Sequence, residues 1–153
     1  MPTLINQEMM REIIIDHYKS PLYKMTPKNV DEYKSIRMDS DSCIDDITIY
    51  LKVINGKIAE AVFDGIGCAI STASTDILCG LIKDKTEDEA KYIMDQYLNM
   101  IYEREYDADA LDELIVFMNT HKQASRIKCA TIGVTGISQI FNELSCDNKN
   151  ESK

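Results

Sequence analysis

An α+β domain, with a small antiparallel sheet packed against helices, is what the sequence predicts, and three observations carry it. Residues 47–53 alternate apolar and polar side chains, the period of a half-buried strand. Asn55-Gly56 follows, a pair suited to the type I′ hairpin turn because both central residues need φ > 0. Before and after this hairpin, apolar residues recur at three- and four-residue spacing, which lines one side of a helix. Helix, hairpin, then further helices is an α+β order.

Asn6 can cap a first helix whose apolar side is Met10, Ile13, Ile14 and Tyr18. Pro21 and Pro27 end it and open an irregular stretch. The hairpin's first strand presents Ile47, Ile49, Leu51 and Val53 on one face and Thr48, Tyr50 and Lys52 on the other, and its second runs through Ile58, Val62 and Phe63. After Cys68 a helix carries Ile70, Ala73, Ile77, Leu78 and Leu81. Thr86 and Glu89 form a capping box for the next, with Ile93, Met94, Tyr97 and Ile101 inward. Asp107 or Asp109 starts a short one with Leu111, Leu114, Ile115 and Met118; Ser125 caps the last, striped by Ile127, Ala130, Val134, Ile137, Phe141 and Leu144. A single domain over 1–144 and a disordered polar tail over 145–153 are expected.

Composition narrows the function. The apolar fraction of 44% suits a globular chain, and no apolar run nears the length a spanning helix needs. Without a secretion signal at its N-terminus the chain reads as cytoplasmic, its five cysteines as reduced thiols. A net charge of −9 with no basic cluster argues against nucleic acid and for protein partners with basic patches.

The stretch "DSCIDD" at 41–46 sets Cys43 among carboxylates just before the strand. Such a thiol serves packing, redox chemistry or metal binding, and spacing alone does not choose. A two-residue hairpin loop pairs Ile54 with Lys57; that register, extended outward, sets Cys43 opposite Cys68. Gly65 and Gly67 are places where a bulge would shift it by one. Asp45 shares the face of Cys43 and of the apolar row, where a carboxylate needs a partner or a metal; Asp46 faces solvent. Cys68 stands at a helix start and Cys129 in the first turn or so of the last helix, near Arg126 and Lys128. Helix N-termini stabilise anions, hence thiolates. Cys79 lies too far along its helix and reads as core, Cys146 as tail, His17 as a hydrogen-bonded boundary residue, and His121 as a loop residue.

At these residues the chain resembles the NifU/IscU/SufU family of iron–sulfur cluster assembly proteins, most of all its SufU-like branch. "EIIIDHYKSP" is similar to the family's opening D-H-Y-x-x-P, "CIDD" to its C-G-D, "GIGCAISTAS" to its G-x-G-C-x-I-S-x-A-S, and "RIKCAT" to its R-x-K-C-A-T. The resemblance implies a SufE/NifU-like fold in which Cys43, Asp45, Cys68 and Cys129 bind one metal. Lys128 stands where the IscU branch has histidine, as in the SufU-like branch. Ile44 replaces the family's glycine, and "LY" follows Pro21 where "RN" is usual.

What the resemblance implies for function is zinc held by three Cys and one Asp, with persulfide sulfur accepted from a cysteine desulfurase. Cys43 is then the acceptor, and Arg126 and Lys128 supply positive charge. The chain would act as a sulfur carrier or scaffold more than a turnover enzyme, or as a zinc-dependent sulfurtransferase if classed as one. Two alternatives use the same ligands. One is a scaffold holding iron, or a labile two-iron iron–sulfur cluster, for transfer to apo-proteins. The other is a structural zinc module that binds proteins.

Overall fold

The computed structural model describes residues 6–39 and 44–151, with side chains through residue 145. Among these, α1 (Gln7–Lys19) is followed by β1 (Lys34–Asp39), β2 (Asp46–Ile54), β3 (Lys57–Ile66), α2 (Ala69–Ile82), α3 (Glu87–Ile101), the one-turn α4 (Ala108–Leu111) and α5 (Ala124–Glu151). The strands form one antiparallel sheet in the order β1-β2-β3. The predicted α+β architecture holds, with a third strand, β1, in the stretch expected to be irregular. β1 offers only Ile36 and Met38 as apolar alternation, too short a pattern to register by itself, and it pairs with β2 from Lys34↔Leu51 to Asp39↔Asp46.

The hairpin turns at Asn55 (φ +54°) and Gly56 (φ +77°), both left-handed as the type I′ geometry requires. Its register differs from the extrapolated one. Ile54↔Lys57 and Val53↔Ile58 pair as expected, but a bulge at Lys52/Val53 shifts the ladder, so that Lys52 faces Glu60 and Asp46 faces Ile66. The one-residue slip thus comes beside the turn, not at Gly65 or Gly67. It also turns Val53 outward, 37% exposed, while Ile47, Ile49 and Leu51 stay buried. The outer edge of β3 is covered: Phe63 exchanges backbone bonds with Tyr23 and Met25, and Ile58 with Asp84 and Lys85. Covering an edge in this way removes a template for unwanted pairing.

α2 is the central element. Ser71 through Cys79 are buried on every side of it, which is why its apolar stripe alone understates its burial. Cys79 is fully buried, and burial pushes its thiol well above the usual range. α1 is capped by Asn6, whose side chain accepts from Met9 N. It buries Met10, whereas Tyr18 is 45% exposed; His17, not Tyr18, makes the inward contact. The capping box of Thr86 and Glu89 forms as predicted, and Asp107 caps α4. Tyr97 crosses from α3 to donate to Ala130 O on α5 at 2.8 Å and meets Phe117 edge-on. α5 begins at Ala124, one residue before the expected cap, and continues to Glu151 through residues for which composition predicts a frayed tail. No helix among the described residues is long and apolar enough to cross a membrane.

Candidate metal centre

The site forms where the leading end of β2 meets the start of α2. Asp45 immediately precedes β2, and Gly65, its near neighbour across the ladder, has φ +129°. A Cβ at Gly65 would lie 2.1 Å from Asp46 O, so only glycine lets β3 pass this close. The chain then turns into α2 with Cys68 as N-cap, its Sγ accepting from Ser71 N at 3.4 Å. A sulfur takes the place of the usual capping oxygen.

Asp45 is 3% exposed. Its Oδ1 accepts from Cys68 N at 3.0 Å and from Ser71 Oγ at 2.9 Å. These two donors satisfy one carboxylate oxygen and fix the plane of the group. Ser71 is a residue the sequence reading missed; a serine in the first turn after a helix cap is the signal that marks it. Ser74 ties the arrangement to α5, its Oγ within 3.5 Å of Cys129 O.

Cys129 reaches the same spot from α5. It lies in the second turn, not the first, so the helix-end advantage expected for it falls away. Burial raises its thiol pKa, and the neighbouring Cys68 and Asp45 raise it further. One ligand atom each from Asp45, Cys68 and Cys129 lie within 4.8 Å of one another. Bonds of about 2.3 Å from sulfur and about 2.0 Å from oxygen allow two ligand atoms on one ion to be no more than about 4.6 Å apart, so a small inward movement suffices. Two thiols and a carboxylate are a donor set that zinc or iron accepts. The residues fit a metal.

Cys43 lies outside the described residues. Ile44, where the resembling family has glycine, is 69% exposed beside Asp45. Arg126 and Lys128 are both exposed near the start of α5. Asp46 faces away from the site, as expected, where Arg37 grips it at 2.8 and 2.7 Å and holds its carboxyl below the usual range. Cys79 takes no part, and His121 bonds Met118 O in its own loop. His17 is at a distance from the site, its Nδ1 on Asp76 and its Nε2 on Glu113. Asp76, fully buried on α2, also accepts from Tyr23 N at 2.8 Å.

Known proteins resemble this chain at both levels. The family model described as NifU-like N terminal domain matches residues 9–130. The Bacillus subtilis (strain 168) protein named zinc-dependent sulfurtransferase SufU is 31% identical over 126 residues, 81% of this chain and 83% of that protein. A Streptococcus pyogenes serotype M1 protein, named iron-sulfur cluster assembly scaffold protein IscU, is 29% identical over 121 residues, 78% of this chain and 74% of its own. Among solved structures, FiSufU from Fervidobacterium islandicum AW-1 superposes with a TM-score of 0.76 at 30% identity, covering 83% of this chain and 92% of that one. A NifU-like N-terminal protein from Brucella abortus shares the fold, with a TM-score of 0.77 at 15% identity, covering 88% and 92% of the two chains.

Proposed function

Because the chain belongs to the NifU-like N-terminal domain family, we propose that it serves iron–sulfur cluster assembly by binding zinc and accepting persulfide sulfur from a cysteine desulfurase. The observation that carries this reading is the convergence of Asp45, Cys68 and Cys129 on one partly buried point. Cys43 completes the ligand set through the likeness of "CIDD" to the family's C-G-D. The relative named as a zinc-dependent sulfurtransferase supports zinc.

When bound, zinc supplies the positive charge that keeps the thiols deprotonated at neutral pH. The protein's own residues do the rest. Ser71 and the Cys68 N–H hold Asp45 in place through Oδ1, and the carboxylate so oriented would be one of the metal's ligands. Arg126 and Lys128 offer charge to the incoming persulfide. The Cys43 thiolate attacks the terminal sulfur of the donor's persulfide; a new S–S bond forms at Cys43, the donor's S–S bond breaks, and the donor leaves as thiolate. Electrons balance without a further oxidant.

A labelled-sulfur assay with a cysteine desulfurase tests this. Wild type and Cys79→Ala take up label, and Cys43→Ser does not; equal labelling of Cys43→Ser overturns the assignment. The second reading, a scaffold that assembles a two-iron cluster for apo-proteins, is favoured by the IscU-named relative. Visible absorption of anaerobically purified protein separates the two. Stoichiometric zinc without colour supports sulfur transfer, and charge-transfer bands with iron support the scaffold.

A further inference from the structure

A second feature of the surface is an open groove of about 810 Å³ where α3 and α4 meet the end of α2. Its floor is Leu81, Ile93 and Ile115, and its rim carries Asp88, Glu89, Asp109 and Asp112 against the single cation Lys85. Leu81 lies thirteen residues beyond Cys68, about 20 Å along α2 at 1.5 Å per residue, so the groove is separate from the metal centre.

We propose that this groove docks a short cationic amphipathic segment of a partner protein, apolar side chains inward and Lys or Arg toward the rim. Three observations select that occupant. The floor is apolar and the rim is acidic, and among the described residues no cation is paired with Asp88, Asp109 or Asp112. An apolar channel flanked by unpaired carboxylates is complementary to an amphipathic helix with basic flanks. None of the buried polar side chains among the described residues lines the groove, so a small molecule finds no fixed polar handle there. A second copy of this chain, at net charge −9, meets a rim of its own sign. Because the groove and the metal centre lie at opposite ends of α2, a sulfur donor and this partner can be engaged together.

The test uses the full, zinc-loaded chain and two designed probes of equal length, an amphipathic Leu/Lys peptide and its Leu/Glu counterpart. Titration by fluorescence anisotropy is combined with backbone amide shifts. The Leu/Lys peptide is expected to bind, with shifts confined to Leu81, Lys85–Ile93 and Ala108–Ile115, and the Leu/Glu peptide is not. Affinity falls at least tenfold in Asp88→Lys/Asp109→Lys and by a smaller factor in Asp88→Asn/Asp109→Asn, which preserves side-chain shape. It changes less than twofold in Asp31→Lys/Glu143→Lys, where exposed carboxylates elsewhere are reversed. Chelating the zinc leaves the affinity unchanged, so failure of the metal assignment and failure of this one read out separately. Equal loss in the Asp31/Glu143 control, equal binding of the Leu/Glu peptide, or shifts centred on Asp45 and Cys68 overturns the proposal. So does self-association abolished by Asp88→Lys/Asp109→Lys, which assigns the groove to a second copy.

Discussion

Ser71 illustrates how much one hydroxyl decides. It holds the buried carboxylate of Asp45 at 2.9 Å while its own N–H donates to Cys68 Sγ. Ser71→Ala leaves the sulfur contact, which is made by backbone, and leaves Asp45 held by the Cys68 N–H alone. Loss of such an orienting partner typically lowers metal affinity by about 10- to 100-fold, so competition with a chromophoric chelator should show a weakened zinc site in a folded protein; unchanged affinity would mean that Asp45 is not a ligand. Cys79→Ala is the matching contrast. Cys79 is fully buried on α2, and removing its sulfur should cost about 1 kcal/mol of stability, seen in chemical denaturation, with no loss of metal. At this scale the sequence was legible where chemistry is local. A cysteine after Gly67 at a helix start, and a carboxylate two residues beyond Cys43, are visible in one dimension. That Cys129 joins them is not, because α5 reaches the site only through tertiary packing on α2; its place near a helix start made it a candidate, and resemblance put it in the ligand set.

Elements report what their ends and edges require. Asn55-Gly56 and the Thr86/Glu89 box were readable because each needs only four consecutive residues. The bulge at Lys52/Val53 was not, since it arises where β3 must also bond Lys85 and Asp84 along its other edge. The docking of α1 was equally hidden. His17 lies 59 residues from Asp76, and only the fold brings them together. Burial lowers the His17 pKa, but hydrogen bonds to Asp76 and Glu113 and their negative charges outweigh it, and the net shift is upward from 6.5. A histidine whose folded pKa is raised contributes stability that is complete below about 6.5, its unfolded value, and is lost as pH climbs through the folded value. The melting temperature of the wild type should therefore fall as pH rises above that range, and His17→Gln should flatten this part of the profile. A variant with the wild-type slope would place the titration elsewhere.

For the whole molecule, the continuous hydrophobic cluster contains none of the candidate ligands Asp45, Cys68 and Cys129. The sheet's inner face, α2, α3 and α5 bury a continuous set of residues from Ile47 through Phe141, and Asp45 and Cys68 belong to its margin. A ligand bound only by the native state adds stability according to its concentration over its dissociation constant. Chelation should lower the melting temperature while far-UV circular dichroism and amide dispersion stay native. Unfolding on chelation would instead identify the third possibility, a structural zinc module. The buried α2 thus carries the candidate ligand Cys68 at its start and borders an acidic groove at its end.

On the reading proposed above, one ion is held by three sulfurs and one carboxyl oxygen drawn from distant parts of the chain. Zinc-edge X-ray absorption on the protein as purified measures this directly. The account predicts one zinc per chain with three sulfurs at about 2.3 Å and one oxygen at about 2.0 Å, the oxygen contribution altered in Asp45→Cys. A site with no sulfur neighbours, or a spectrum indifferent to Asp45, would contradict it.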